Sequence, residues 1–149
     1  KFTKENFYLF HKGGNLGASL RLAKDIMVTG KKMPVINYKK NLKEALKIIN
    51  QKKLGIVVIL KNKFIKGLVT DGDLRRELKN YSSSENLKKF MTKRPLTVNE
   101  NMPASKALAV MNEKKITSLL VVSDKNYNKI NKTLKGIIHI HSLLQDGIK

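Results

Sequence analysis

Two stretches of the sequence share one pattern, and this repetition constrains the fold more than any other feature. In residues 67–73 (GLVTDGD) and 136–142 (GIIHIHS), an apolar run starts at glycine and ends at a polar side chain, where a short helix is expected to begin. The first turn of a helix has unpaired backbone N–H groups, which can bind phosphate or sugar hydroxyl groups. The pattern therefore predicts a two-fold repeat with a ligand cleft.

Each repeat follows the order strand, helix, strand, strand, helix. Apolar periodicity predicts helices at 42–52 and 103–114, and Asn41 with Glu44 has the spacing of a capping box. The predicted strands are 33–36, 56–60 and 64–69 in one repeat and 95–98, 118–122 and 134–138 in the other. We divide the chain into a lead segment (1–24), repeat one (25–79), a linker (80–88) and repeat two (89–149).

The central strand of each repeat is a continuous apolar run, as in residues 56–60 (IVVIL). Such runs are typical of strands that are covered on both faces, yet one repeat has too few strands to bury both faces of a sheet. We therefore expect an α/β (α+β) fold in which the two repeats pack sheet to sheet about a pseudo-two-fold axis. Small ligands usually bind in the clefts between such halves.

The formal net charge is +20, from 31 lysine and arginine residues against 11 acidic ones. This charge is compatible with nucleic-acid binding, but a lysine-rich genome bias also produces it, and we favour that interpretation. Arginine makes the bidentate contacts to bases and phosphates, and the chain has it only at Arg21, Arg75, Arg76 and Arg94. We do not expect nucleic acid to be the partner.

The chain has no cysteine, which suits a reducing cytoplasm, and its longest apolar run is too short to span a bilayer. We expect a cytoplasmic protein that does not contact the membrane. Because the first residue is Lys1 rather than methionine, we take the sequence to be a piece of a longer protein.

In repeat one, Thr70 and Asp73 carry the chemistry of the strand-to-helix turn. The threonine hydroxyl can donate to a phosphate and accept from a hydroxyl, and an ionised aspartate accepts from adjacent sugar hydroxyls. Arg75 follows in the first helical turns and could reach an anionic group. The alternative is that Asp71 or Asp73 simply caps the helix, and the sequence leaves both interpretations open.

Repeat two has His139 at the position of Thr70 and Ser142 at the position of Asp73, so the carboxylate is missing. We expect His139 and His141 to lie on opposite faces of the strand, and no cysteine or carboxylate cluster joins them, so we expect no metal site. In the lead segment, His11 beside Gly13-Gly14 is compatible with acid–base chemistry and equally with a surface histidine.

The two repeats resemble CBS motifs, and the pair resembles a Bateman module. The match rests on GLVT followed by Asp73. The lead segment resembles the junction in bacterial D-arabinose-5-phosphate isomerases, in which a sugar isomerase (SIS) domain precedes two CBS motifs. The matching segments are FTKENF (2–7), HKGGNLG (11–17), DIM (25–27) and TDGDLRR (70–76). Lys12 stands where this family has proline.

The resemblance implies a parent enzyme that interconverts D-ribulose 5-phosphate and D-arabinose 5-phosphate for the synthesis of Kdo, a lipopolysaccharide or capsule sugar. It implies that His11 is catalytic in the intact parent, that a SIS domain precedes the CBS pair, and that this chain alone is inactive. The implied role of the pair is to bind a regulatory ligand, which we expect to be CMP-Kdo, CMP or an adenine nucleotide, with no catalytic cofactor.

The resemblance also implies which residues line the ligand cleft. They are Val35, Ile36, Gly55, Ile56, Thr70, Asp73 and Arg75 in repeat one, and Thr97, Val98, Thr117, Ser118, His139 and Ser142 in repeat two. CBS pairs often self-associate, so an alternative is a module that binds no ligand and only assembles the parent enzyme. A parent that acts on a different sugar phosphate is a further alternative.

Overall fold

The computed structural model describes residues 20–80 and 84–149. His11 and the motifs of the lead segment lie outside the described residues. Repeat one consists of α1 (Ala23–Ile26), a 3-10 turn (Gly30–Lys32), β1 (Val35–Asn37), α2 (Leu42–Lys52), β2 (Ile56–Lys61), β3 (Phe64–Thr70) and α3 (Asp71–Glu77). Repeat two consists of a 3-10 turn (Leu87–Lys89), β4 (Thr92–Lys93), β5 (Thr97–Asn99), α4 (Ala104–Lys114), β6 (Ser118–Val122), β7 (Gly136–His139) and α5 (Ile140–Gln145).

The predicted order of strand, helix, strand, strand, helix is thus present twice, in a mixed α+β fold. In each repeat the outer and central strands are parallel (β1 with β2, β5 with β6), and the central strand is antiparallel to the next one. A parallel pair needs a crossover connection, and α2 and α4 provide it. Three strands begin two residues later than predicted: β1, β5 and β7. In β1 and β5 the residues omitted include Pro34 and Pro95, which lack the N–H that a strand ladder uses.

Local signals explain why α2 lies where the periodicity predicts it. The Asn41 side chain accepts a hydrogen bond from Glu44 N at 3.0 Å, which is one half of the predicted capping box. The helix ends at Lys52, and the next residue, Lys53, has a left-handed backbone conformation with a φ of 59°. The same left-handed ending recurs at Lys115 after α4, which begins one residue later than predicted because Pro103 is its N-cap.

The buried residues within 20–80 and 84–149 form three clusters. Two lie between the helices and the sheet of one repeat each, and contain for example Ile49 in repeat one and Met111 in repeat two. The third lies between the two sheets and contains Ile56, Val58, Leu120 and Ile137, each no more than 5% exposed. This third cluster confirms the expected sheet-to-sheet packing of the repeats.

The first extended segment of each repeat pairs with the sheet of the other repeat. β4 is antiparallel to β3 and adds a fourth strand to the first sheet. In the same way, Val28 exchanges two backbone hydrogen bonds with Ile137 of β7, at 2.8 and 3.0 Å. The two repeats are therefore joined by an exchange of edge segments, which the sequence pattern did not predict.

This exchange explains why glycine starts each of the two repeated patterns, at Gly67 and Gly136. A Cβ on Gly67 would lie 2.7 Å from Thr92 O and 2.8 Å from Met91 Sδ, and a Cβ on Gly136 would lie 2.7 Å from Met27 Cγ. Real Cβ atoms do not approach other atoms so closely, so a side chain at Gly67 would have to displace the backbone of β4, and one at Gly136 would have to displace the Met27 side chain. Among the described residues, no helix is long and apolar enough to cross a membrane.

Candidate functional site

The two strand-to-helix turns lie at the same end of the paired sheets. In the first sheet Ile56 pairs with Thr70, and in the second Ser118 pairs with His139. Equivalent backbone hydrogen bonds close both turns, since Asp71 N donates to Gly55 O at 2.8 Å and Ile140 N donates to Thr117 O at 2.9 Å. The structure thus brings Gly55 and Ile56 to Thr70, and Thr117 and Ser118 to His139, as the sequence predicted.

The two halves of this end also meet each other. The Ser118 hydroxyl lies 3.5 Å from Leu54 O, which is the residue before Gly55 in the other repeat. We call the region formed by residues 54–56, 70–73, 117–118 and 139–142 the common edge. Its residues come from both repeats, so a ligand bound there would contact both.

Thr70 and Asp73 are joined by a complete capping box at the start of α3. The Thr70 hydroxyl oxygen accepts from Asp73 N at 3.0 Å, and Thr70 N donates to Asp73 Oδ2 at 3.2 Å. The second Asp73 oxygen is paired with Arg76. Helix capping is therefore what these residues do in this structure. The Thr70 hydroxyl proton can still donate to a ligand, and Asp73 can exchange its exposed partner Arg76 for sugar hydroxyls.

Arg75 forms an ion pair within its own helix. Its Nε lies 3.0 Å from Asp71 Oδ1, one turn earlier, and its side chain is 69% exposed. An exposed pair with this spacing contributes only about 0.3–0.5 kcal/mol, so it would not hold the guanidinium against a competing phosphate.

The predicted cleft residues of β1 and β5 divide into two kinds. The side chains of Ile36 and Val98 are 6% and 2% exposed and belong to the clusters beneath the helices. A ligand between the sheets could reach only their backbone. Val35 instead packs with the cluster between the sheets, and Thr97 lines a separate cavity described below.

His139 and His141 do not lie on opposite faces, so that prediction is wrong. Residues two apart in a strand share a face, so alternation does not separate the two rings. In addition, strand β7 ends at His139 and α5 begins at Ile140, so the second ring lies on a helical turn. The two rings stack with centroids 4.8 Å apart, and His139 Nδ1 accepts from His141 N at 3.2 Å. Burial first, and then the nearby His141, lower the pKa of His139, which favours the neutral ring that accepts this bond.

No group of three or more metal-ligating side chains occurs within residues 20–80 and 84–149. Ser142 follows in the first turn of α5 and cannot supply the carboxylate that Asp73 supplies in repeat one. The two halves of the common edge are therefore alike in backbone geometry and different in charge.

A basic pocket that the sequence pattern did not predict lies beside the common edge. It has a volume of about 460 Å³ and is lined by Val28, Lys31, Lys32, Gln51, Lys52 and Leu54. Lys52 Nζ donates to Lys31 O, which joins the end of α2 to the 3-10 turn. One signal could have revealed it: Met27 and Val35 are eight residues apart, whereas Met91 and Thr97 are six apart, and the longer connection carries adjacent lysines.

Comparison with known families and structures agrees with this architecture. The family model described as "CBS domain" matches residues 23–80 and 87–147. Arabinose 5-phosphate isomerase KdsD of Yersinia pestis is 38% identical over 151 residues, and the same enzyme of Escherichia coli K12 is 36% identical over 155 residues. These matches cover 99% of the chain and 44% of each relative, so the chain spans less than half the length of these isomerases.

Solved CBS pairs have the same fold. The CBS-pair protein CBSX2 of Arabidopsis thaliana superposes with a TM-score of 0.71 at 20% identity, covering 85% of this chain and 93% of that one. CBSX2 in complex with AMP gives 0.70 at 22% identity, covering 85% and 95%. The CBS domain pair of MJ0100, in complex with 5′-methylthioadenosine and S-adenosyl-L-methionine, gives 0.71 at 20% identity, covering 84% and 94%.

Proposed function

The chain belongs to the CBS domain family, and on that premise we propose that it is a sensor module that binds a nucleotide or nucleotide sugar at the common edge. The observation that carries this proposal is the meeting of both strand-to-helix turns at one end of the packed sheets, with Thr70 and Asp73 in one of them. The complexes of CBSX2 with AMP and of MJ0100 with adenosine derivatives support a ligand of this class.

We assign separate tasks to the residues at this edge. The Thr70 hydroxyl donates to the ligand, and the Asp73 carboxylate accepts from ribose hydroxyls in place of its bond to Arg76. The lysines of the adjacent basic pocket, Lys31, Lys32 and Lys52, attract the phosphate. Repeat two presents the neutral His139 and Ser142 instead, so we expect one strong site rather than two equal ones.

We further propose that the module regulates a sugar-phosphate isomerase. The isomerases of Yersinia pestis and Escherichia coli contain a region similar to nearly the whole chain. In such a parent, arabinose 5-phosphate would be formed from ribulose 5-phosphate by an N-terminal SIS domain, with His11 as a catalytic residue, and the present chain alone would be inactive. Feedback within Kdo synthesis makes CMP-Kdo or CMP the first ligands to test, with AMP and ATP as the alternatives.

The test is calorimetric titration of the chain with CMP-Kdo, CMP, AMP and ATP at physiological ionic strength. A ligand that binds only the folded chain also raises its melting temperature, and a hundredfold excess over Kd adds about 2.7 kcal/mol. We expect one of these ligands to bind and the double variant Thr70→Ala, Asp73→Ala to lose that binding.

Asn41→Ala is the matched control for this double variant. It removes an equivalent helix cap, at the start of α2, and therefore costs similar stability of about 1 kcal/mol, but it leaves the common edge intact. Unchanged binding by the double variant would exclude repeat one from the site. Lost binding by Asn41→Ala would show that the assay reports stability rather than contact.

A second candidate function is assembly of the parent enzyme without a ligand. The observation that favours it is the loss of the carboxylate from the second turn, where Ser142 replaces the acid. This function predicts self-association of the chain in sedimentation equilibrium and no melting shift with any of the four nucleotides.

A further inference from the structure

A second basic cavity lies away from the common edge, between the two repeats. Its volume is about 570 Å³, and its lining includes five cationic side chains, those of Lys66, Lys93, Arg94, Lys129 and Lys132. They come from β3, from β4 and the residue after it, and from the long connection between β6 and β7. We propose that this cavity is a binding site for a small molecule with two or more phosphate groups.

The cavity is separate from the nucleotide site proposed above. Its β3 residues are Ile65 and Lys66, which lie near the opposite end of that strand from Thr70. Thr70 is four positions after Lys66. A strand rises about 3.3 Å per residue, so the two sites are roughly 13 Å apart along β3. The inference therefore does not depend on nucleotide binding at the common edge.

No carboxylate in the described part of the chain compensates the positive charge in the cavity. Among residues 20–80 and 84–149, no aspartate or glutamate lines the cavity, and none of the six ion pairs includes one of its five cations. Like charges held close together in a partly enclosed space repel each other, and such a space concentrates anions. A bound anion would remove this repulsion.

The backbone at Arg94 adds a second, independent observation. In the exchanged segments Val28 corresponds to Thr92, because they pair with the equivalent residues Ile137 and Leu68. By the same register Arg94 corresponds to Gly30, and both have positive φ, 51° and 62°. Glycine adopts this conformation without strain, whereas another residue costs about 1–2 kcal/mol. In repeat two the residue with this strained conformation is Arg94, whose guanidinium lines the cavity.

The rest of the lining indicates the size and kind of ligand. A volume of this order lies within the range of roughly 300–1,000 Å³ that is usual for small-molecule sites. Ile65, Met91 and Pro95 supply an apolar wall, and the Thr97 hydroxyl supplies a neutral polar group. Several cations beside an apolar wall fit a compact phosphorylated molecule, such as a sugar bisphosphate or an inorganic di- or triphosphate.

The loop that carries Lys129 and Lys132 is tied to both repeats. Ile65 N donates to Lys132 O at 2.8 Å, and Asp124 N donates to Glu100 Oε2 at 2.8 Å. Lys132 Nζ donates to Lys129 O at 2.6 Å, which closes the tip of the loop. The backbone that carries Lys129 and Lys132 is therefore held in place before a ligand arrives, and an anion bound between the cations of the cavity would join repeat one to repeat two.

Calorimetric titration of the whole chain at physiological ionic strength tests the proposal. The probes are inorganic phosphate, pyrophosphate, tripolyphosphate and fructose 1,6-bisphosphate. We expect the probes with two or more phosphates to bind at least about tenfold more tightly than inorganic phosphate. Tighter binding of the sugar bisphosphate than of pyrophosphate identifies an organic ligand, and the reverse order identifies an inorganic one.

The key variant is Arg94→Gly with Lys66→Gln. It removes two charges from the cavity, and glycine keeps the positive φ, so the chain should remain folded with at least its original melting temperature. Lys43→Gln with Lys106→Gln is the control, because it removes the same net charge from exposed positions on α2 and α4. We expect about a tenfold loss of pyrophosphate affinity in the first variant and none in the control.

Three results would overturn the proposal: equal weakening in both variants, binding of single phosphate as tight as that of pyrophosphate, or binding of short duplex DNA alone. Each would reduce the cavity to part of a diffuse positive surface. Thr70→Ala separates this inference from the proposed nucleotide sensor, since it should leave pyrophosphate binding unchanged whether or not nucleotides bind at the common edge.

Discussion

Replacing Gly67 with alanine is expected to destabilise the chain because the exchanged strand β4 leaves no room for a side chain. The new Cβ would lie 2.7 Å from Thr92 O and 2.8 Å from Met91 Sδ. A methionine side chain can rotate away, but the carbonyl belongs to the backbone of β4, which pairs with Gly67 and Leu68. Overpacking of this kind costs about 1–3 kcal/mol.

Urea unfolding followed by circular dichroism measures this loss directly. For a chain of this length, each kcal/mol also lowers the melting temperature by about 2–4 °C. The matched control is Gly72→Ala, where the nearest atoms would be 3.8 and 3.9 Å away and the residue lies in α3. That substitution should be neutral or stabilising by up to about 1 kcal/mol, since alanine favours a helix.

Second-site changes distinguish a backbone clash from a side-chain clash. The three atoms nearest to a Cβ on Gly136 all belong to the Met27 side chain, so Met27→Ala should restore part of the stability that Gly136→Ala loses. Met91→Ala should restore little in Gly67→Ala, because the Thr92 carbonyl remains. Wild-type stability in Gly67→Ala, or its full restoration by Met91→Ala, would refute the close seating of β4 on β3.

Three further predictions concern other parts of the chain. Asn41→Ala should lower the free energy of unfolding by about 1 kcal/mol, measured in urea, because it removes the cap of α2. Leu120→Ala should lower it by about 2–5 kcal/mol and leave a single calorimetric transition, because both repeats share the core around this residue. Burial and His141 lower the pKa of His139 below its ordinary value of 6.5. The stability that the neutral His139 ring contributes should therefore be fully present above pH 6.5 and be lost as the pH falls through the lowered pKa. His139→Gln should flatten this part of the profile of melting temperature against pH.

Most secondary structure was predictable because its signals are local. Helix α2 occupies the predicted residues, since Asn41 at its start and the apolar spacing of Leu42, Ala45 and Ile49 lie within one short segment. The continuous apolar run in β2 likewise predicted a strand covered on both faces, and its residues divide between two buried clusters. The sheet-to-sheet packing followed from the same run.

The exchange of edge segments could not be predicted in this way. Thr92 and Lys93 carry no apolar pattern, and a strand edge accepts any segment that offers backbone hydrogen bonds. Which edge is open depends on how the two sheets are stacked. The stacking of His139 on His141 was missed because residues two apart in a strand share a face, and because the boundary between β7 and α5 falls between the two residues.

The candidate site was predictable only in part. The positions of Gly55, Ile56 and Thr70 at one end of a sheet follow from an antiparallel strand pair of known order. The choice between capping and ligand contact for Asp73 does not follow from sequence, because a capping box and a ribose site use the same carboxylate. The cationic pocket at Lys31 and Lys52 was also hidden, since these residues are far apart in the chain.

The sequence by itself determined the repeat, the order and type of its elements, and the turn that bears Thr70 and Asp73, because these depend on periodicity and on neighbours within a few residues. Only the tertiary structure decided which strand edges the exchanged segments complete, why Gly67 and Gly136 have no side chain, and where the lysines gather into cavities. These features depend on contacts between residues that are distant in the chain. A lysine or a glycine in the sequence does not indicate which distant residue it will contact.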